Sequence, residues 1–146
     1  MGVKFTTIWR FSNRNNLAKN FAKWFSDMKR LLQGINPDSK PKGNSCEDCL
    51  KSGGWWLHLR RCAECGYIGC CDSSPNQHAA KHAALMGHPV VASFEPLQNW
   101  FYDYSRKKLL RGPRLVGPRW RPETQAAPGP EGRVPRNWEY LLHDVA

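Results

Sequence analysis

All six cysteines and four of the five histidines of this 146-residue chain fall between Cys46 and His88. Their order is Cys46-x2-Cys49, Cys62-x2-Cys65, Cys70-Cys71, His78-x3-His82 and then His88. Two C-x-x-C pairs, a further cysteine and three histidines supply eight nitrogen and sulfur ligands, which is what two closed tetrahedral Zn2+ sites require. Three disulfides are the competing use of six cysteines in so short a chain. A disulfide scaffold, however, has no need of histidines at fixed offsets directly after the last cysteine.

Catalytic uses of the same residues fit less well. On a helix, His78 and His82 share one face and could grip a single ion, as the histidines of H-E-x-x-H proteases do. Ala79 follows His78, so the glutamate base of that motif is missing, and eight ligands close both sites without leaving a position for water. The deaminase pattern H-x-E with P-C-x-x-C is absent. Redox chemistry at a C-x-x-C pair wants a βαβ setting and a lone pair of cysteines, whereas these pairs come with histidines. A binding module rather than an enzyme is the expectation. Spacing alone leaves open which ligands share which ion, and whether Cys70 or Cys71 is the fifth sulfur.

These ligands must be held by short elements. Trp55 to Arg60 alternates, with Leu57 and Leu59 on one face and Trp56, His58 and Arg60 on the other, which predicts a strand leading to Cys62. Gly66 permits a left-handed turn after the second knuckle, and Tyr67 to Cys71 reads as another short strand. Ser74 and Pro75 read as N-cap and first residue of a helix that runs from Asn76 to Met86 and ends at Gly87. Pro89 to Phe94 is an apolar, β-branched strand, and Trp100 to Leu110 a further strand that leaves the sheet at Arg111. His58, the remaining imidazole, reads as a sheet-face residue and not as a ligand.

Flanking segments carry the charge. The net +10 divides into +7 for residues 1–42, −2 for 43–105 and +5 for 106–146, so the ligand-rich stretch is not basic and the arms are. From Asn13 to Leu32, Leu17, Phe21, Trp24, Phe25, Met28, Leu31 and Leu32 recur at helical intervals among Arg14, Lys19, Lys23, Lys29 and Arg30, a basic amphipathic helix. Gly34 to Gly43 is rich in Gly, Pro, Ser and Lys and reads as a linker. Gly112 to Arg136 holds six of the eleven prolines and predicts extended or disordered backbone, and Asn137 to Ala146 spaces Trp138, Leu141, Leu142 and Val145 as a short amphipathic segment. The expected division is 1–42 basic segment with helix, 43–111 zinc domain, 112–136 Pro/Gly-rich linker and 137–146 C-terminal segment. No apolar run approaches the roughly 20 residues that cross a bilayer, and no signal peptide is apparent, so a cytoplasmic location is expected.

Residues 46 to 104 resemble the UBP-type zinc finger, a ubiquitin-binding module found beside deubiquitinating enzymes, and particularly its small stand-alone bacterial members. The likeness rests on Trp56-Leu57-His58-Leu59-Arg60 ahead of Cys62-x2-Cys65-Gly66, on Cys70, His78, His82 and Gly87-His88-Pro89, and on Trp100 with Tyr102. It implies an α+β fold, a small zinc-stabilised domain with a twisted antiparallel sheet and one or two helices. It also implies two interleaved Zn2+ sites, one of Cys46, Cys49, Cys70 and His78 and the other of Cys62, Cys65, His82 and His88.

In ubiquitin-binding members the finger makes a pocket for a free C-terminal Gly-Gly, with an arginine after the third cysteine holding the carboxylate. Trp100 and Tyr102 stand for the aromatic walls, but the arginine's position is Asp72. A carboxylate there repels the carboxylate it should clamp, so weak or lost binding of a free ubiquitin tail is expected. The expected partner is a protein or peptide terminus, with a basic or amino end suited to Asp72, gathered by Tyr67, Asp72, Trp100 and Tyr102. Binding of nucleic acid or an anionic membrane surface through the basic arms is the alternative, and no small-molecule substrate is expected.

Overall fold

The spacing of Leu17, Phe21, Trp24, Phe25 and Met28 forms helix α1, Ser12–Leu31, in agreement with its periodicity. The computed structural model describes residues 12–117 and 127–141, and the chain divides into one unit ending at Gln33 and another beginning at Gly34. Readings of 118–126 as extended linker and of 142–146 as part of an amphipathic tail lie outside the described residues.

The second unit is built on a five-stranded antiparallel sheet in the order β2-β1-β3-β4-β5. Its strands are β1 (Leu59–Cys62), β2 (Ile68–Cys70), β3 (Val90–Ser93), β4 (Phe101–Asp103) and β5 (Lys108–Leu110). Helix α2 (Glu47–Ser52) follows Cys46, α3 (His78–Met86) joins β2 to β3, and α4 (Trp138–Leu141) is one C-terminal turn. The domain is therefore α+β, with strands of three or four residues that bury little apolar surface by themselves.

Register distributes the side chains. Arg61 pairs with Ala92 and Ala92 with Phe101, placing these on one face with Val90, where Ile35, Ala63 and Leu115 complete an apolar cluster. Arg60, Val91 and Tyr102 alternate onto the other face. A second cluster joins Trp56, Leu59, Ile68 and Phe94 to Cys46, Cys49 and Cys70. Gly69 is where α3 meets the sheet, because a Cβ there would lie 2.6 Å from the Ala79 backbone nitrogen. Gly66 takes the expected left-handed turn at φ +79, and a Cβ on it would collide with the Lys40 carbonyl.

Four local expectations are corrected. The strand predicted over Trp55–Arg60 begins at Leu59: Trp56 instead exchanges backbone hydrogen bonds with Gly129, and the Leu57 N–H donates to Ser74 Oγ. Trp56 is buried, as are Leu57 and Leu59. Ser74, spent on that bond, is not an N-cap; Gln77 adopts φ 48 and the helix starts at His78. The single strand predicted over Trp100–Leu110 is a hairpin, because Asp103 Oδ1 accepts from Ser105 N–H, Ser105 Oγ–H and Arg106 N–H and turns the chain. The stretch read as a linker packs on the sheet: Ile35 and Ser39 are buried, Asn36 N–H donates to Ala63 O, and buried Arg61 donates to the Ser39 carbonyl.

Candidate metal centres and the adjoining cleft

The eight ligands gather into two groups, Cys46, Cys49, Cys70 and His78, and Cys62, Cys65, His82 and His88, with the ligand atoms of each within 4.8 Å of one another. In the first, Nδ1 of His78 lies 3.3 Å from Cys46 Sγ, 3.3 Å from Cys49 Sγ and 3.4 Å from Cys70 Sγ. In the second, Cys62 Sγ is 3.7 Å from His88 Nδ1 and Cys65 Sγ 3.3 Å from His82 Nε2. Zinc bonds to sulfur of ~2.3 Å and to nitrogen of ~2.0 Å at a tetrahedral angle place such atoms about 3.6 Å apart, so both groups fit Zn2+.

Protonation follows from this crowding. Hydrogen bonds with Cys49 and Cys70 draw the Cys46 thiol far down, and the bond to Cys46 pushes Cys49 and Cys70 up. Only a divalent cation lets all three sulfurs be thiolates together. Burial pushes Cys62 up to about 11. Burial, and then the charge of His88, hold His82 below its ordinary value, which favours the neutral ring a metal binds.

Neighbouring groups orient the ligands. The His78 backbone N–H donates to Cys70 Sγ at 3.1 Å, tying the start of α3 to the first centre. Glu64 Oε1 stands 3.6 Å from His88 Nε2, the ring nitrogen left over from the second centre. Tyr67 stacks on His82 with centroids 4.2 Å apart and planes 7° apart, and its hydroxyl donates to Asp48 Oδ2 on α2. Burial, and then that bond, raise the Tyr67 hydroxyl well above its usual range, so it stays a donor.

Cys71 joins neither group. Adjacent strand residues face opposite ways, and its sulfur lies 3.2 Å from Ser74 Oγ. His58 likewise stands apart, its Nδ1 3.5 Å from Glu95 Oε1.

Asp72, Trp100 and Tyr102 line one cleft of about 360 Å³ together with Arg60 and Tyr104. Tyr67, expected among them, is committed to His82 and Asp48 instead. The Tyr104 hydroxyl donates to Asp72 Oδ1 at 2.9 Å, and the Arg60 guanidinium lies 4.6 Å over the Trp100 ring. Arg60 and Tyr104 complete the cleft, and alternation from Cys62 and from Tyr102 carries the sequence signal for both. No sequence signal marks Asp48 or Glu64 as supports, because each meets its partner only through the fold.

Residues 46–115 match the family described as the Zn-finger in ubiquitin-hydrolases and other protein. A protein of Rhodopseudomonas palustris solved by solution NMR is 37% identical, with a TM-score of 0.51 over 63% of this chain and 93% of that one. No curated protein matches.

Proposed function

Because the chain belongs, through residues 46–115, to the zinc-finger family of ubiquitin-hydrolases and other proteins, we propose that it is a non-catalytic protein-interaction module. Its cleft takes a peptide terminus with a basic or amino end. The observation that carries this reading is the pairing of Asp72 with the cleft's aromatic side chains: one carboxylate oxygen accepts the Tyr104 hydroxyl, and Trp100 and Tyr102 line the same cleft. A cation held there gains a charge-assisted hydrogen bond as well as aromatic contact.

Chemistry at the metals does not suit the site, because eight protein ligands fill two tetrahedra and leave no coordination position for water. A free ubiquitin tail suits the cleft poorly. Asp72 opposes its carboxylate, and Arg60, the nearby cation, is occupied with the Trp100 face and with the Leu59 carbonyl at 3.0 Å.

Titration of the full-length zinc-loaded protein with matched peptides tests the reading. Peptides with a free amino end or a terminal lysine bind, the acetylated or neutral forms bind at least about tenfold less tightly, and Asp72→Ala and Trp100→Ala each weaken binding. If both substitutions leave every affinity unchanged, the cleft is not the binding site.

A further inference from the structure

Helix α1 carries a second surface that the cleft does not use. Leu17, Phe21, Trp24 and Phe25 lie along one side at three- and four-residue spacing, each more than half exposed. The three rings are in mutual contact, with centroids 5.8 Å apart, so the apolar side is one continuous patch. Lys19, Lys23 and Lys29 are exposed around the rest of the helix, and across its 20 residues five Lys/Arg stand against the single acid Asp27.

We propose that α1 lies in the plane of an anionic lipid surface. The Leu17, Phe21, Trp24 and Phe25 side enters the boundary between headgroups and acyl chains, and the lysines remain among the headgroups. Three observations select this occupant. Trp and Phe are the side chains that an interface between water and hydrocarbon holds best, and here they are clustered on the apolar side. The excess of cations matches anionic headgroups, whereas a second copy of the helix would bring like charges together. Among the described residues no helix is long and apolar enough to cross a membrane, so the helix rests on the surface and does not span it. Nucleic acid would engage the lysines but leave the aromatic side in water.

Sedimentation of the full-length zinc-loaded protein with lipid vesicles tests the proposal. The chain pellets with phosphatidylcholine mixed with phosphatidylserine and stays in solution with phosphatidylcholine alone, and added salt weakens the association. Phe21→Asp combined with Phe25→Asp lowers vesicle affinity about tenfold or more, while Leu85→Gln, on the exposed side of α3, leaves it unchanged. Lys19→Glu combined with Lys23→Glu keeps the apolar side and good helix formers, and it too releases the protein. Two zinc ions per chain in every variant exclude loss of the metal domain as the cause. The proposal is overturned if the chain pellets with neither lipid, if either double variant pellets as the wild type does, or if a DNA duplex is bound equally well with Phe21→Asp and Phe25→Asp in place.

Discussion

His78 and His82 stand one helical turn apart yet serve different centres, the first through Nδ1 and the second through Nε2. The stacked face of Tyr67 fixes the plane of the His82 ring. Tyr67→Phe keeps the stack and loses the bond to Asp48, so it costs about 1 kcal/mol in urea unfolding of the zinc-loaded protein. Tyr67→Ala loses both and costs about 2–3 kcal/mol, with faster zinc loss to a chromophoric chelator. Equal effects of the two would mean that the ring contact with His82 is idle. Glu64→Gln lowers zinc affinity at the second centre about tenfold, measured by competition with the same chelator. At this scale the ligand types and the two C-x-x-C knuckles are legible from spacing alone. Their sharing between ions is not, because a pair four apart on a helix can serve one ion or two, and the family resemblance supplied the answer that the geometry bears out. Tyr67, expected in the cleft, lies on His82 instead, because an aromatic between Gly66 and the short strand β2 carries no mark of which side of the sheet it takes.

The elements are short, so single backbone and capping features decide where they begin and end. Gly69→Ala would press a methyl group into the α3 backbone and costs about 2–3 kcal/mol, with zinc held less tightly at both centres, since α3 bears a ligand of each. Asp103→Ala removes the acceptor of three hydrogen bonds at the β4–β5 turn and lowers the unfolding free energy measured in urea by about 1–2 kcal/mol. Asp103→Asn, which keeps an acceptor oxygen, loses less. The β4–β5 turn is hard to read in the sequence: Trp100 to Leu110 is aromatic and then basic with no glycine or proline to mark a break, and the side chain of Asp103 against its own downstream N–H groups makes the turn. Likewise Trp55 to Arg60 alternates as a strand does, but Trp56 and Leu57 give their backbone to Gly129 and Ser74, residues far along the chain. The periodicity of α1 and the buried, β-branched β3 needed no such long-range information, and both were legible.

At the scale of the molecule, ligands from residues 46–49, 70 and 78 enclose one ion while those from 62–65, 82 and 88 enclose the other, so neither centre is a separable piece of chain. Structural zinc contributes on the order of 10 kcal/mol or more per site, comparable with the whole stability of a small domain. The C-terminal segment adds to the same unit, with Gly129 paired to Trp56 and the Arg133 guanidinium donating to the Cys49 and Leu50 carbonyls of α2. Interleaving predicts that Cys49→Ala, which strikes one centre only, also loosens the other, so that the variant loses both ions together on mild chelation. A variant that stays folded with one tightly held ion would show that the centres are independent. The most direct test of the account is the zinc content of the folded native protein by mass spectrometry under non-denaturing conditions. Two ions per chain are predicted, lost with cooperative unfolding of the sheet domain when chelated; one ion or none in a folded chain would contradict it.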